Sequence, residues 1–188
     1  MEILDSIRNR RSRREYLNRD IPEECINEIL ECALRAPFGG PPKPYCQVAE
    51  FIVIRNKEKK KQLSLHYDNR QFLQSAPVII ACCANKKNDP NYKEWLLSTA
   101  LAIQNILIAS EAMDIGSCIL SCFLYHEKHI EDKEILRSIL KLPNDIELVA
   151  LVSLGYKSES ERLQEKMLRQ FTDVISYDIY GKSMQEEK

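Results

Sequence analysis

Four arginines and one serine stand together in the run Arg10-Arg11-Ser12-Arg13-Arg14. A guanidinium presents a fixed fork of donors that meets phosphate oxygens two at a time, and a serine hydroxyl adds a short hydrogen bond to the same anion. The run therefore has the chemistry to seat a phosphate monoester. A solvated basic turn is the plainer reading of the same residues. A nucleic-acid or localisation patch is a third, weakened by the absence of interleaved aromatic residues and by 27 basic against 28 acidic residues, a formal net charge of -1.

A second group lies in Ala36-Pro37-Phe38-Gly39-Gly40-Pro41-Pro42-Lys43-Pro44-Tyr45. Glycine lets a backbone approach a flat ligand closely, and proline stiffens a loop so that its peptide groups are held ready. An ordinary helix-to-strand connection is the alternative, although backbone restriction on this scale exceeds what a connection needs.

The cysteines invite a different chemistry. Cys25, Cys32, Cys46, Cys82, Cys83, Cys118 and Cys122 are odd in number and lack the paired spacing of a secreted framework, which points to reduced thiols. His66, His126 and His129 stand apart from them, so no metal site is expected. Thiol redox work at Cys82-Cys83 or at Cys118 and Cys122 would need an exposed, electropositive setting. Adjacent cysteines in a strand point to opposite faces and pack as small core residues.

Behind these groups stand the elements that must position them. Ile3, Leu4 and Ile7 mark one face of a short opening helix that leads into the arginines. A second helix has Pro22 in its first turn, Glu23 and Glu24 at its positive end, and a stripe of Ile26, Ile29, Leu30, Ala33 and Leu34 that Pro37 terminates. Strands are expected at Phe51–Ile54, Val78–Cys82, Cys118–Phe123 and Leu148–Leu154, the last closing at Gly155, with helices at Lys57–Leu65 and Lys133–Leu140. A long helix from about Tyr92 to Met113, apolar on nearly all sides, should be central. The class is α+β, with a central mixed or antiparallel sheet flanked by helices.

Residues 1–188 fit a single domain that buries roughly two thirds of its unfolded surface. Its 44% hydrophobic content is that of a folding globular chain. The polar residues Ser98, Thr99, Gln104, Asn105, Ser110 and Glu111 argue against a membrane span in the long helix, and the opening residues form no apolar run of a signal peptide. A cytoplasmic protein without membrane or nucleic-acid partner is expected. Residues 157–188 read as a charged C-terminal arm, either frayed or wrapped around a partner subunit.

Taken in order, Arg10 to Arg14, Ala36-Pro37-Phe38 and Lys43-Pro44-Tyr45 resemble the flavin-dependent nitroreductase family. So do Ala76-Pro77-Val78-Ile79-Ile80, the stretch Thr99 to Leu107, Ile115-Gly116-Ser117-Cys118 and Leu154-Gly155-Tyr156. The resemblance implies an FMN-binding α+β fold working as a homodimer with both flavins at the interface. It implies an oxidoreductase that takes electrons from NAD(P)H, NADH or NADPH, and passes them to a nitroaromatic, quinone or similar small acceptor. The flavin carries the chemistry and no protein nucleophile acts. By match, Arg10, Ser12 and Arg14 hold the phosphate, ribityl chain and pyrimidine edge of FMN, with Arg11 close by. Pro37, Phe38, Gly39 and Lys43 belong to the flavin loop, and the backbone at Leu120-Ser121-Cys122 approaches flavin N5. Lys166 and Arg169 match a basic pair that reaches the phosphate. Phe38, Pro41 and Lys43 stand where the family usually has Ser, Asn and Gln, so polar groups that address the ring are replaced. The alternative of a different class is a non-catalytic flavin-binding or sensing protein on the same fold.

Overall fold

The computed structural model describes residues 2–41, 43, 46–65, 70–89, 94–122, 130–163 and 166–182. Four strands, β1 (Ala49–Ile54), β2 (Val78–Asn85), β3 (Ile115–Ser121) and β4 (Ile146–Tyr156), form one antiparallel sheet in the order β1-β2-β4-β3. The helices are α1 (Ile3–Asn9), α2 (Glu23–Leu34), α3 (Lys57–Leu65), α4 (Gln71–Ser75), α5 (Trp95–Ala112) and α6 (Ile130–Leu140).

The sheet is covered on both faces because β2 and β4 are mostly apolar and buried along nearly their whole length rather than at alternate positions. Val78, Ile80, Cys82 and Ala84 pack with Val152 and Leu154 against α2 and α5. Ile79, Ala81 and Cys83 pack with Leu148 and Leu151 against Leu63 of α3, Leu73 of α4 and Leu136 of α6. A register shift between Cys82 and Cys83 marks an irregularity in the β2–β4 ladder. The two thiols point to opposite faces, as the period of a strand requires.

Several boundaries differ from the sequence expectation. Pro22 caps α2 instead of entering its first turn, and the helix ends at Leu34 with Arg35 as its C-cap, ahead of Pro37. Leu34 is exposed and Leu30 is half-buried, so the stripe narrows to Ile26, Ile29 and Ala33. β3 starts at Ile115, three residues early, and the expected end at Phe123 lies outside the described residues, as does Tyr92 at the expected start of α5. α4 was not expected, since five residues are too few to show a helical period.

α5 is long and apolar enough to cross a membrane by length and composition, but it packs against α1, α2 and the sheet. Two of its buried hydroxyls are satisfied within the helix, Thr99 donating to the Trp95 carbonyl at 2.7 Å and Ser110 to the Ile106 carbonyl at 2.6 Å. The helix is not enclosed on all sides. Leu97 and Leu101 remain exposed, as do Ile3, Leu4 and Ile7 on α1.

Candidate functional site

The arginine run leaves α1 at Arg10, whose N–H closes the helix on the Ser6 carbonyl at 3.0 Å. The chain then extends along β3. Ser12 forms a parallel bridge with Ser117, the Arg13 N–H donates to the Ser117 carbonyl at 2.9 Å, and Tyr16 forms an antiparallel bridge with Lys157. Two glycines, paired with each other across β3 and β4, make this path possible. A Cβ at Gly116 would stand 3.0 Å from the Arg13 side chain, and one at Gly155 would stand 2.6 Å from the Tyr16 ring. Tyr16 anchors the segment further, its hydroxyl donating to the Arg13 carbonyl at 2.5 Å and lying 2.7 Å from the Ser153 hydroxyl. Burial pushes the Tyr16 pKa up, so the phenol keeps its donor proton across ordinary pH.

Residues of an extended segment alternate in direction. Ser12 stands beside β3 through its bridge to Ser117, and the charges of Arg14 and Arg10 act on the neighbouring Cys118 thiol. These three expected residues are thus brought together around one point of the sheet. Arg11 turns back, its guanidinium donating to the carbonyls of Arg8 at 2.8 Å and of Arg10 at 3.0 Å, where it caps the last turn of α1.

Two further groups join the arginines, neither of them expected from the sequence. Glu161, just beyond β4, accepts the Arg14 N–H at 2.7 Å and pairs with the Arg13 guanidinium at 3.8 Å; its carboxylate side chain is 8% exposed. Secondly, α4 places the Phe72 ring 5.9 Å from the Arg14 guanidinium. Together Arg14, Gln71, Phe72, Gln74 and Ser75 line an open recess of about 660 Å³, within the size range of small-molecule sites. A composition cue existed for α4, in that Gln71 and Gln74 flank two apolar residues just before a strand, but not for Glu161.

The loop residues lie elsewhere in this chain. Pro37 and Phe38 line a small hollow with Ser98 and Ala102, and the Gly39 N–H donates to the Ser98 hydroxyl at 3.1 Å. A Cβ at Gly39 would meet the carboxylate end of the exposed Glu94 side chain at 2.5 Å. Lys43 is exposed, with its N–H on the Pro41 carbonyl at 2.7 Å. Pro42, Pro44 and Tyr45 lie outside the described residues. The loop thus meets the first turns of α5, whereas Ile3 and Ser6 of α1 share a cavity with Asn105, Ile108, Ala109 and Ala112 near its end. Ser98 and Ala109 are roughly 16 Å apart along the helix axis at 1.5 Å per residue.

Ser121 pairs with Ala150 at the end of β3, and the Cys122 N–H continues the ladder to the Val149 carbonyl at 2.9 Å. The Cys122 side chain turns into the core, where burial pushes its thiol up to about 12. Burial also raises Cys82, Cys83 and Cys118, the last despite Arg14, Ser12 and Arg10 beside it. A reactive thiol needs the opposite shift. His66, His126 and His129 lie outside the described residues.

Lys166 and Arg169 sit in an exposed tail, in which Met167 is 95% and Phe171 75% exposed. Arg169 donates to the Asp173 carbonyl at 2.9 Å, away from the arginine run.

With this geometry in place, comparison with known proteins is informative. The profile of the nitroreductase family matches residues 7–68 and 63–156. The chain is 34% identical over 165 residues to an Archaeoglobus fulgidus protein provisionally named NADH dehydrogenase/NAD(P)H nitroreductase, covering 87% of this chain and 90% of that one. Among solved structures, a Bacteroides thetaiotaomicron protein with the same provisional name superposes with a TM-score of 0.81 at 27% identity, over 95% of this chain and 98% of that one. An FMN-dependent nitroreductase of Clostridium difficile R20291 superposes with a TM-score of 0.80 at 25% identity, over 94% and 99% of the two chains.

Proposed function

The chain belongs to the nitroreductase family, and from that premise we propose that it is an FMN-dependent oxidoreductase drawing electrons from NAD(P)H for a small, flat acceptor such as a nitroaromatic or a quinone. The observation that carries this reading is the arginine run laid along β3 at Ser12, with Arg14 lining the recess beside Phe72. The donor set fits the group: two guanidiniums and a hydroxyl suit a phosphate and an electron-rich ring edge, and the adjoining recess has room for a planar ring.

On this reading Arg10 and Ser12 hold the phosphate and ribityl hydroxyls. Arg14 faces the pyrimidine edge, where its charge favours the reduced ring. Gln71 and Gln74 offer the amide donors and acceptors that Phe38, Pro41 and Lys43 no longer supply from the loop. The backbone at Ser121 and Cys122 borders the reacting part of the ring, while the Cys122 thiol stays in the core. When bound, FMN supplies a ring that takes up two electrons from the dinucleotide and releases them to the acceptor. The protein holds, orients and shields it, and needs no nucleophile of its own.

The separation of Pro37, Phe38, Gly39 and Lys43 from the arginines supports a homodimer in which each site draws its loop from the other subunit. Exposed Ile3, Leu4 and Ile7 on α1 and Leu97 and Leu101 on α5 offer the apolar face such a dimer would bury. In this arrangement residues 1–188 form one domain, and the arm 157–188 crosses over to bring Lys166 and Arg169 to a phosphate. Seven free cysteines suit the reducing cytoplasm.

The test is an absorbance spectrum of the purified full chain after FMN addition and desalting, then after anaerobic NADPH and NADH. Retained flavin bands that bleach with either dinucleotide are expected, with sedimentation as a dimer. A chain that retains no flavin at excess FMN would overturn the proposal.

A further inference from the structure

Beyond the arginine recess, on the far side of Gln74 and Ser75, the surface opens into a second cavity of about 440 Å³. Gln74 and Ser75 line both spaces, so the two cavities are neighbours on either side of this stretch of α4. Four cations line this second cavity, Arg19, Lys57, Lys60 and Lys61, against two carboxylates, Asp20 and Glu58.

Two of the cations are set in place before any ligand arrives. Arg19 lies over the Tyr156 ring, its guanidinium 4.2 Å from the ring centroid. Lys60 is only 6% exposed, and its ammonium donates to the carbonyls of Ala76 at 2.5 Å and Pro77 at 3.2 Å. An ammonium has three donors, and these carbonyls take two. Burial lowers the Lys60 pKa and Lys57 and Arg55 lower it further, with only Asp20 acting in the other direction. An anion in the cavity would relieve that repulsion.

We propose that this cavity is a phosphate site for the electron-donating nicotinamide dinucleotide, seated on Arg19, Lys57, Lys60 and Lys61. The inference rests on the functional reading above. A dinucleotide carries its redox ring at one end and its phosphates at a distance. The neighbouring spaces match that plan, with the donor ring laid on the flavin at the Arg14 recess and a phosphate at the lysines. Two phosphates of such a donor share the chemistry, the pyrophosphate common to NADH and NADPH and the 2′-phosphate of NADPH alone.

Titration calorimetry of the FMN-loaded full chain with 2′,5′-ADP and with ADP separates these sources, using the wild type, Lys61→Ala and the double variant Lys57→Ala/Lys61→Ala. Lys87→Ala, a cation paired with Asp145 well outside the cavity, is the control. Each lysine removed should weaken binding about tenfold, and KM for the donor should rise by a similar factor while kcat at saturation holds. Loss confined to 2′,5′-ADP and NADPH assigns the 2′-phosphate; equal loss for ADP and NADH assigns the pyrophosphate. Affinities and KM values that follow the Lys87→Ala control overturn the site. A wild-type protein that loads FMN yet oxidises neither dinucleotide overturns the functional reading instead, and the two failures are therefore distinguishable.

Discussion

The Arg14 N–H donates to the Glu161 carboxylate at 2.7 Å, joining the segment that carries the arginines to the first turn of the C-terminal arm. The bond spans 147 positions of sequence and fixes the backbone from which Arg14 reaches the recess. Replacing Glu161 with Ala should cost about 1–3 kcal/mol of stability and weaken FMN binding, because it removes a charged acceptor from a largely buried position. Glu161→Gln keeps an acceptor oxygen and should lose less on both counts. Urea midpoints and flavin fluorescence titrations on the two variants read the order; equal effects of Ala and Gln would show that the charge, not the hydrogen bond, matters.

Charge reversal at Arg10 addresses the phosphate directly. Arg10→Glu should lower FMN affinity by roughly 10- to 100-fold, since it replaces a charge-assisted donor with a repelling carboxylate. The check is the flavin content of the desalted protein by absorbance. Stoichiometric flavin in this variant would place the phosphate elsewhere.

Gly155 leaves room for the Tyr16 ring, and a methyl there would meet it at 2.6 Å. Gly155→Ala should destabilise the protein by about 1–3 kcal/mol through overpacking. Combining it with Tyr16→Ala should cost less than the sum of the two single changes, because the clash disappears with the ring. Strict additivity in a denaturation cycle would rule out this contact as the cause.

Glu147 gives the pH dependence. Burial raises its pKa, but the ammoniums of Lys133 at 2.5 Å and Lys86 at 3.2 Å outweigh burial and hold the carboxyl below its usual value. With the folded pKa depressed, the stabilisation is present above the unfolded value of about 4.3 and is lost as pH falls through the folded one. Wild type should therefore exceed Glu147→Gln in stability at pH 7, and the gap should close on acidification below about pH 4. Denaturant midpoints across that range would show it, and a gap independent of pH would contradict it.

How much of this was readable in the sequence depended on whether a residue's role is local. Lys57–Leu65 has the helix boundaries expected of it, because charge and hydropathy along one segment set them. The opposed faces of Cys82 and Cys83 were likewise legible. β3 starts ahead of the expected Cys118 and takes in Gly116, where a Cβ would crowd the Arg13 side chain. Glu161 could not be found, since a lone carboxylate in a charged tail acquires its meaning only from Arg14, far away in sequence. The recess was equally hidden, for α4 is a single turn and a half whose partner is Arg14.

β3 is the last strand of the sheet, and a strand in that position offers unpaired amides to any other chain that can add beside it. The arginine segment lies along it, bridged at Ser12 and Ser117 and bonded from Arg13. The residues proposed to receive a phosphate are thus also a guard against strand addition, through both their backbone and their like charges. Proteolytic nicking ahead of Tyr16 would therefore remove more than a binding site: it would leave a chain prone to self-association through the uncovered edge.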